Sequence, residues 1–196
     1  MVKPLNAPFV VLESERLVLR PWLEPDAAAL YELARDPAVG PSAGWPVHTS
    51  VENSAEIIEG VLSADGTFAV VLKGTGELVG CAGFNFGDAA TMPLGDDEGE
   101  LGYWLGQRFW GRGYATEAAQ RVVEHGFCER GLCGIWAAHF EENARSRNVL
   151  RKLGFQDRGT MPDANGADAN GDGGSLGEKR TTRLMYLPAP TRKGAE

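Results

Sequence analysis

The stretch QRFWGRGYATEA, residues 107 to 118, places two glycines around an arginine directly before a helical pattern. Apolar residues recur at helical spacing from Ala115 to Gly126, which predicts a helix there. The first backbone N–H groups of a helix have no partner inside it, and the helix dipole adds a partial positive charge. Because the glycines let an anion approach these groups, the stretch predicts an anion site to which Arg108 and Arg112 add charge suited to phosphate.

Two common phosphate-binding motifs do not fit this turn. A Walker loop requires GxxxxGK[ST], and no lysine follows Gly113. A dinucleotide fingerprint requires GxGxxG, and the position three after Gly113 is Thr116. A tight strand-to-helix turn with its arginines in solvent stays open as the alternative, because two glycines before a helix are a weak signal alone.

The segments around the turn alternate between strand and helix patterns. Asp26, Ser50 and Asn143 stand where helix caps are expected, and Gly154 stands where a helix would end. The order is one strand, two helices, three strands, a helix, a strand, a helix and two strands. This order predicts an α/β (α+β) domain with a mostly antiparallel seven-stranded sheet and about four helices, including one strand–helix–strand crossover between residues 99 and 140. No boundary divides the chain, so we expect a single domain over residues 1–196, with its core at about 12–187.

The composition excludes several classes of function. The 196 residues are 43% hydrophobic, which suits one globular core, and the net charge of −8 argues against a general nucleic-acid binder. No apolar run is long enough to span a membrane and no signal pattern begins the chain, so we expect a cytoplasmic protein. Cys81, Cys128 and Cys133 form no CxxC pair, and we expect reduced, packed thiols.

Two motifs of the chain match one known family. ELGYWLGQRFWGRGYATEA, residues 100–118, resembles the central motif of the GCN5-related N-acetyltransferases (GNAT), whose pattern [QR]xxGx[GA] is filled by Arg108, Gly111 and Gly113. NARSRNVLRKLGF, residues 143–155, resembles the NxxSxxxxxKxGF segment of the same superfamily. ERLVLRPW, residues 15–22, is similar to the entry strand of the branch that includes the ribosomal-protein-alanine N-acetyltransferases.

The resemblance implies a GNAT fold whose sheet splays between its fourth and fifth strands, and acetyl-CoA as co-substrate. In that family the loop amides hold the pyrophosphate and the preceding strand pairs with the pantetheine arm. The cofactor-binding residues so implied are Tyr103, Trp104, Leu105, Arg108, Gly111, Arg112, Gly113, Tyr114, Ala115, Thr116 and Asn143.

The reaction implied by the resemblance is acetyl transfer to a primary amine by direct attack in a ternary complex. The acceptor would be a small amine or the N-terminal α-amine of a peptide or protein, and a homodimer is plausible for the branch. A CoA-binding regulatory or scaffold protein without turnover is the alternative. Trp22, Trp45 and His48 lie on elements that border the acceptor pocket in this fold.

Acetyl transfer needs a base for the amine and a donor for the departing sulfur. Glu100 is the leading candidate base because family members often place a glutamate on this strand, and Glu98 is the fallback. An exposed carboxylate at the start of a strand is the alternative interpretation of Glu100. Ser146 shares the apolar face of the 144–153 helix and is the candidate acid, since a serine here can lie near the CoA sulfur in the resembled branch. Its alternative is a hydroxyl bonded to the backbone one turn back.

A second unusual stretch is acidic and rich in glycine. DANGDGGSLGEK, residues 168–179, nearly matches a calcium loop, but Glu178 falls at position 11 and Lys179 at position 12. We therefore expect no metal site, and instead a flexible insertion at 160–178 in the last hairpin.

Overall fold

A computed structural model of the chain describes residues 10–161 and 180–190. Eight strands form one sheet in the order β1-β2-β3-β4-β5-β6-β8-β7. The strands are β1 Leu12–Glu13, β2 Leu17–Arg20, β3 Thr67–Leu72, β4 Leu78–Asn85, β5 Glu98–Leu105, β6 Gly134–Phe140, β7 Gln156–Met161 and β8 Thr182–Pro188. The helices are α1 Ala27–Ala34, α2 Gly40–Ala43, α3 Val51–Ile57, α4 Tyr114–Cys128 and α5 Ala144–Lys152.

The centre of the sheet holds its one parallel pair among the described strands. β5 and β6 are joined through α4, which is the predicted crossover, and every other pair is antiparallel. The register between them covers three residue pairs and ends at Glu100↔Trp136. Beyond that point β5 keeps β4 as a neighbour, whereas β6 keeps β8, with which it pairs along its whole length. The predicted splay is therefore present, and it leaves one edge of residues 101–105 without a strand partner in the described part of the chain.

The two faces of the sheet are covered by different helices. On one face, Phe84 of β4 packs so closely on α4 that a Cβ on Gly126 would stand 2.7 Å from its ring. On the other face, Trp104 of β5 contacts Trp22 and Trp45, which precede and follow α1. The core is continuous across the sheet and includes fully buried Leu17, Leu19, Leu30, Val70, Val79, Val122, Ile135 and Leu150. Burying an aliphatic side chain of this size contributes about 1.5–3 kcal/mol before the entropy of folding is counted.

Local sequence signals located most elements correctly. Ser50 Oγ accepts the backbone N–H of Asn53, and Asn143 Oδ1 accepts that of Ser146 at 3.1 Å, as expected of N-caps. Gly154, at φ +88°, follows the last turn of α5. Asp26 does not cap α1 with its side chain. Its carboxylate instead accepts the backbone N–H of Leu23 and pairs with Arg20 at 2.7 Å.

Besides Asp26, four details differ from the sequence-based expectation. The sheet has an eighth strand, because the two residues of β1 pair with β2. The segment 40–50, whose prolines and glycines are typical of a loop, contains the additional helix α2, since Pro41 occupies the first turn and Gly44, at φ +92°, ends it. Of the thiols expected to be packed, only Cys81 is buried, because Cys128 ends α4 on its outer side and Cys133 precedes β6. Thr160 and Met161 belong to β7, and the rest of the predicted insertion, with the calcium-like stretch, lies outside the described residues.

Candidate active site

The predicted anion loop presents the start of α4 without a side-chain cap. Gly111 and Gly113 adopt φ values of +74° and +83°, a region that favours glycine. α4 begins at Tyr114, with no side chain of the described residues bonded at its N-cap. The amides of residues 114–116 are therefore free to receive a ligand, as is expected of a helix N-terminus used for anion binding.

Arg16 braces this loop from the entry strand. Its Nη1 donates to the carbonyl of Arg112 at 3.0 Å, and its guanidinium lies 4.5 Å from the centre of the Tyr114 ring. Glu117 holds Arg16 in turn, accepting from its backbone N and its Nε, both at 2.7 Å. Burial raises the pKa of Glu117, but the hydrogen bonds from Arg16 and Ser14 outweigh it, and the net pKa is lowered. This ionised carboxylate ties the turn between β1 and β2 to the first turn of α4.

The other arginines around the loop differ in their partners. Arg108 pairs with Glu77 at 2.9 Å, in the turn between β3 and β4. Arg112 is exposed and forms no ion pair within the described residues, so its charge is available to an anion. Arg145, in the first turn of α5, stacks at 4.5 Å over the ring of Trp110. Positive charge at this loop therefore comes both from Arg145 of α5 and from Arg112 within the loop.

The free edge of β5 leads directly from the splay to this loop. Tyr103, Trp104 and Leu105 lie beyond the last β5–β6 pair, as the pantetheine-binding prediction requires. The carbonyl of Leu105 already accepts from Trp110 Nε1 at 2.8 Å. The backbone carbonyl of Leu105 is thus already engaged. No side chain of the described residues bonds the backbone of Tyr103, which lies nearer the splay.

Glu100 is buried, in contrast to the exposed alternative considered for it. Its relative exposure is 3%, and its carboxylate accepts from both the backbone N, at 2.6 Å, and the hydroxyl of Thr91. Thr91 belongs to the loop between β4 and β5, so these bonds anchor that loop to the last residue of the β5–β6 register. The fallback, Glu98, accepts from Trp136 Nε1 at 3.1 Å and from the backbone N of Gly95.

Ser146 contacts a hydroxyl rather than the preceding turn of its helix. Its Oγ lies 2.9 Å from Tyr103 Oη, which also lies 3.1 Å from the Ser146 carbonyl. Within the described residues Ser146 Oγ bonds no backbone carbonyl one turn back, so the alternative considered for this hydroxyl is not what the structure shows. Burial raises the pKa of the Tyr103 phenol, and the contact with Ser146 offsets part of that rise.

The side chain of Asn143 is engaged at both ends. Beyond capping α5, its Nδ2 donates to the carbonyl of Ser42 in α2 at 3.1 Å. Arg180 adds a second tie to α2 through the carbonyl of Pro41. The segment 40–48 is therefore fixed to the start of α5 and lies against both sides of the splay, because Trp45 contacts Trp104 of β5 and Gly44 lies beside Phe140 of β6.

Trp45 of the segment 40–48 and Trp104 of β5 together present a partly exposed aromatic surface. Trp104 lies 5.3 Å from Trp45 and 6.5 Å from Trp22 between ring centroids, and His48 lies 5.3 Å from Trp45. His48 Nδ1 contacts Ser54 Oγ at 2.8 Å, and burial lowers the pKa of its ring. Trp104 lies four positions after Glu100 on β5, and side chains an even number of positions apart on a strand point to the same face. The aromatic surface therefore shares a face of the sheet with Glu100.

Comparison with known proteins identifies the family. A family model described as an acetyltransferase (GNAT) domain matches residues 16–156. The uncharacterised N-acetyltransferase p20 of Bacillus licheniformis is 34% identical over 157 residues, which cover 78% of this chain and 85% of that protein. The chain belongs to the GNAT acetyltransferase family.

Solved GNAT structures share the fold. An acetyltransferase of Bacillus anthracis superposes with a TM-score of 0.77 at 24% identity, over 92% of this chain and 99% of its own. RimL, a ribosomal L7/L12 alpha-N-protein acetyltransferase solved in complex with coenzyme A, superposes with a TM-score of 0.70 at 21% identity, over 91% of this chain and 98% of its own. The family predicted from the two motifs is confirmed, and family membership makes the protein an acetyltransferase.

Three contacts of this GNAT site could not be predicted from sequence patterns. Tyr103 Oη, Arg16 and Thr91 contact partners that lie 43, 101 and 9 positions away in sequence, beyond the reach of local patterns. The alternation of β5 offered one usable clue, since it places Tyr103 on the opposite face from Glu100 and Trp104.

The described residues contain no group of three or more His, Cys, Asp or Glu that could hold a metal ion. In the same ranges, no helix has the length and apolar character needed to cross a bilayer.

Proposed function

We propose that this GNAT protein transfers the acetyl group of acetyl-CoA to a primary amine within a ternary complex. The acceptor would be a small amine or the N-terminal α-amine of a peptide. The observation that carries the proposal is the continuity between the uncapped start of α4 and the unpaired edge of β5. RimL, which shares the fold, was solved with coenzyme A and acts on a protein α-amine, and this supports the same donor and acceptor class here.

The chain would hold the donor mainly through its backbone. The amides of residues 111–116 suit the two charges of a pyrophosphate, and the exposed Arg112 adds a cation. The backbone of Tyr103, which alternates with the residues of β5 that bond to β4, offers strand-like hydrogen bonds to the amides of a pantetheine arm at this edge. Asn143, whose two side-chain ends are occupied, would contribute through the position of α5 rather than through a free amide.

The reacting groups would lie at the open end of the splay. The amine nitrogen attacks the thioester carbonyl, a backbone N–H of the β5 edge stabilises the developing oxyanion, and the C–S bond breaks with its electron pair on sulfur. Glu100 would accept the amine proton, directly or through water, with Thr91 fixing the direction of its carboxylate. Ser146 would donate to the departing sulfur.

The aromatic surface of Trp45 and Trp104, whose rings are partly exposed, would face the side from which an acceptor arrives. It offers apolar contact to the carbon skeleton of an amine, together with ring faces that attract a cation. An acceptor with an apolar or flat group next to its amine therefore suits this surface better than a highly hydrated polyamine.

One observation favours a second candidate function, that of a CoA-binding protein without turnover. Both oxygens of Glu100 are engaged by Thr91, as they would be if the carboxylate served only to anchor a loop. Binding of CoA is common to both candidates, so only turnover separates them.

The deciding experiment measures acetyl transfer with a panel of peptides and small amines, by the mass of the acetylated acceptor. Mass is preferred to a thiol reagent because Cys128 and Cys133 are exposed and would react with it. Acetylation that depends on both acetyl-CoA and the amine supports the enzyme. Tight binding of acetyl-CoA with no acetylated product on any acceptor would favour the second candidate.

A further inference from the structure

Two hydroxyl groups from different elements meet on the α4–α5 side of the splay. Tyr103 Oη, from the free part of β5, lies 2.9 Å from Ser146 Oγ and 3.1 Å from the Ser146 carbonyl in the first turn of α5. Their separation along the chain is 43 residues, so the contact exists only because the fold places β5 beside α5.

The phenol has one proton and two acceptors within reach. When Tyr103 donates to the carbonyl, the Ser146 hydroxyl can turn inward and donate to Tyr103 Oη. When Tyr103 donates to Ser146 Oγ, the Ser146 proton must point elsewhere, and it becomes available to another acceptor. The Tyr103 proton therefore decides the direction in which the serine hydroxyl donates.

The pKa values of a thiol and a phenol indicate that Tyr103 donates a hydrogen bond but keeps its proton. A thiol ionises at a pKa of about 8.5 and an ordinary phenol at about 10, so the charge of a departing CoA stays on sulfur. Burial raises the pKa of Tyr103 further, which keeps the phenol protonated. Two aligned hydroxyls can thus stabilise a thiolate by hydrogen bonds without transferring a proton of their own.

We propose that Tyr103 is a positioning residue that directs the Ser146 hydroxyl toward the departing CoA sulfur. The proposal rests on the proposed function for the role of Ser146. As the amine nitrogen forms its bond to the carbonyl carbon, the C–S bond breaks and its electron pair remains on sulfur. Ser146 donates a hydrogen bond to that sulfur and Tyr103 donates one to Ser146 Oγ. The amine proton goes to the base, and solvent protonates the thiolate when CoA leaves.

The test compares Tyr103→Phe, Ser146→Ala and the double variant in the binary complex with CoA. The readout is the pKa of the bound CoA thiol, followed by the ultraviolet absorbance of the thiolate across pH. We expect Tyr103→Phe to raise this pKa and to lower kcat at least about tenfold, with little change in the KM for acetyl-CoA. Tyr103→Phe should add nothing in the Ser146→Ala background, because the phenol acts through the serine.

Tyr31→Phe is the matched control, since Tyr31 lies in α1 and its hydroxyl has no hydrogen bond within the described residues. Additive effects of the two variants, or an unchanged pKa of the bound thiol in Tyr103→Phe, would overturn the proposal. The thiol readout needs no acceptor, so a protein that binds CoA but acetylates nothing fails the proposed function while this comparison still gives its own answer.

Discussion

Arg16 and Glu117 are 101 residues apart in sequence, and their side chains meet in a bidentate pair. Glu117 Oε2 accepts from Arg16 Nε and Nη2, both at 2.7 Å, while Oε1 accepts from the backbone N of Arg16. The remaining Arg16 nitrogen holds the carbonyl of Arg112. The conformation of the loop at residues 111–113, the predicted anion site, therefore depends on Arg16, which directly precedes β2 near the other end of the chain.

Replacing Arg16 with methionine should weaken CoA binding more than it weakens the fold. The pair is partly exposed, so we expect a loss of at most about 1 kcal/mol in the free energy of unfolding. Without the brace on the Arg112 carbonyl, the dissociation constant of CoA, measured by calorimetry, should rise several-fold. Arg35→Met is the control, because Arg35 pairs with Glu32 on the surface of α1. Equal effects of both variants on CoA binding would contradict the role of Arg16.

Replacing Gly111 with alanine should distort the loop through its backbone alone. A Cβ there would meet no atom within 4 Å, but the φ of +74° is costly for alanine by about 1–3 kcal/mol. We expect roughly a tenfold weaker affinity for CoA if the loop relaxes to avoid this strain. Gly74→Ala is the matched control, since its Cβ would also meet nothing and its φ is not positive. Wild-type affinity in Gly111→Ala would show that the amides of this loop do not bind the ligand.

Glu100 and Thr91 can be separated by mutation. If Glu100 is the base, Glu100→Gln should lower kcat by about a hundredfold or more, because the amide cannot accept the amine proton. Thr91→Ala keeps the carboxylate and removes one of its donors, so its kcat should stay within a few-fold of the wild type. Similar losses of activity in both variants, in parallel with their thermal stability, would assign Glu100 to anchoring the loop.

The stability of the protein should fall at mildly acidic pH through His48. Ser54 Oγ donates to the carbonyl of Ser50, so it accepts from His48 Nδ1–H, and the buried ring is neutral. Burial lowers the pKa of His48, so the unfolded chain binds its proton first as the pH drops. The contribution is complete above the ordinary histidine pKa of about 6.5 and declines as the pH falls toward the lower folded value. Each unit of difference in pKa corresponds to about 1.4 kcal/mol.

Urea unfolding at several pH values between 5 and 8 measures this effect. His48→Asn keeps a donor in the place of Nδ1–H and removes the titration, so its unfolding free energy should depend less on pH than that of the wild type. The same pH dependence in both proteins would exclude His48 as the source.

The elements that could be predicted from sequence are those whose signals are local. The caps at Ser50 and Asn143, the glycines at φ above zero and the apolar stripe of α4 each depend on neighbours within a few residues. α2 could not be predicted in this way, because proline and glycine usually indicate a loop, whereas here Pro41 fits a first turn and Trp45 packs on Gly40.

The candidate site could be located from its motifs but not described in its contacts. The loop and the edge of β5 follow from residues 100–118, and the structure brings Ser146 to that edge. The burial of Glu100 could not be foreseen, because it depends on how the loop carrying Thr91 folds back on β5. The phenol that contacts Ser146 comes from β5, 43 residues away in sequence, and local patterns do not indicate such a contact.

Because the register between β5 and β6 covers only three pairs, the stability of the folded chain should depend on the concentration of a ligand that binds the remaining edge of β5. A molecule that pairs with the unpaired edge binds the native state and not the unfolded chain, so unfolding becomes rarer as that molecule becomes more abundant. At a ligand concentration 100 times its dissociation constant, this linkage adds about 2.7 kcal/mol. Resistance to proteases that attack the unfolded chain would then report how much of the protein carries a ligand at this edge.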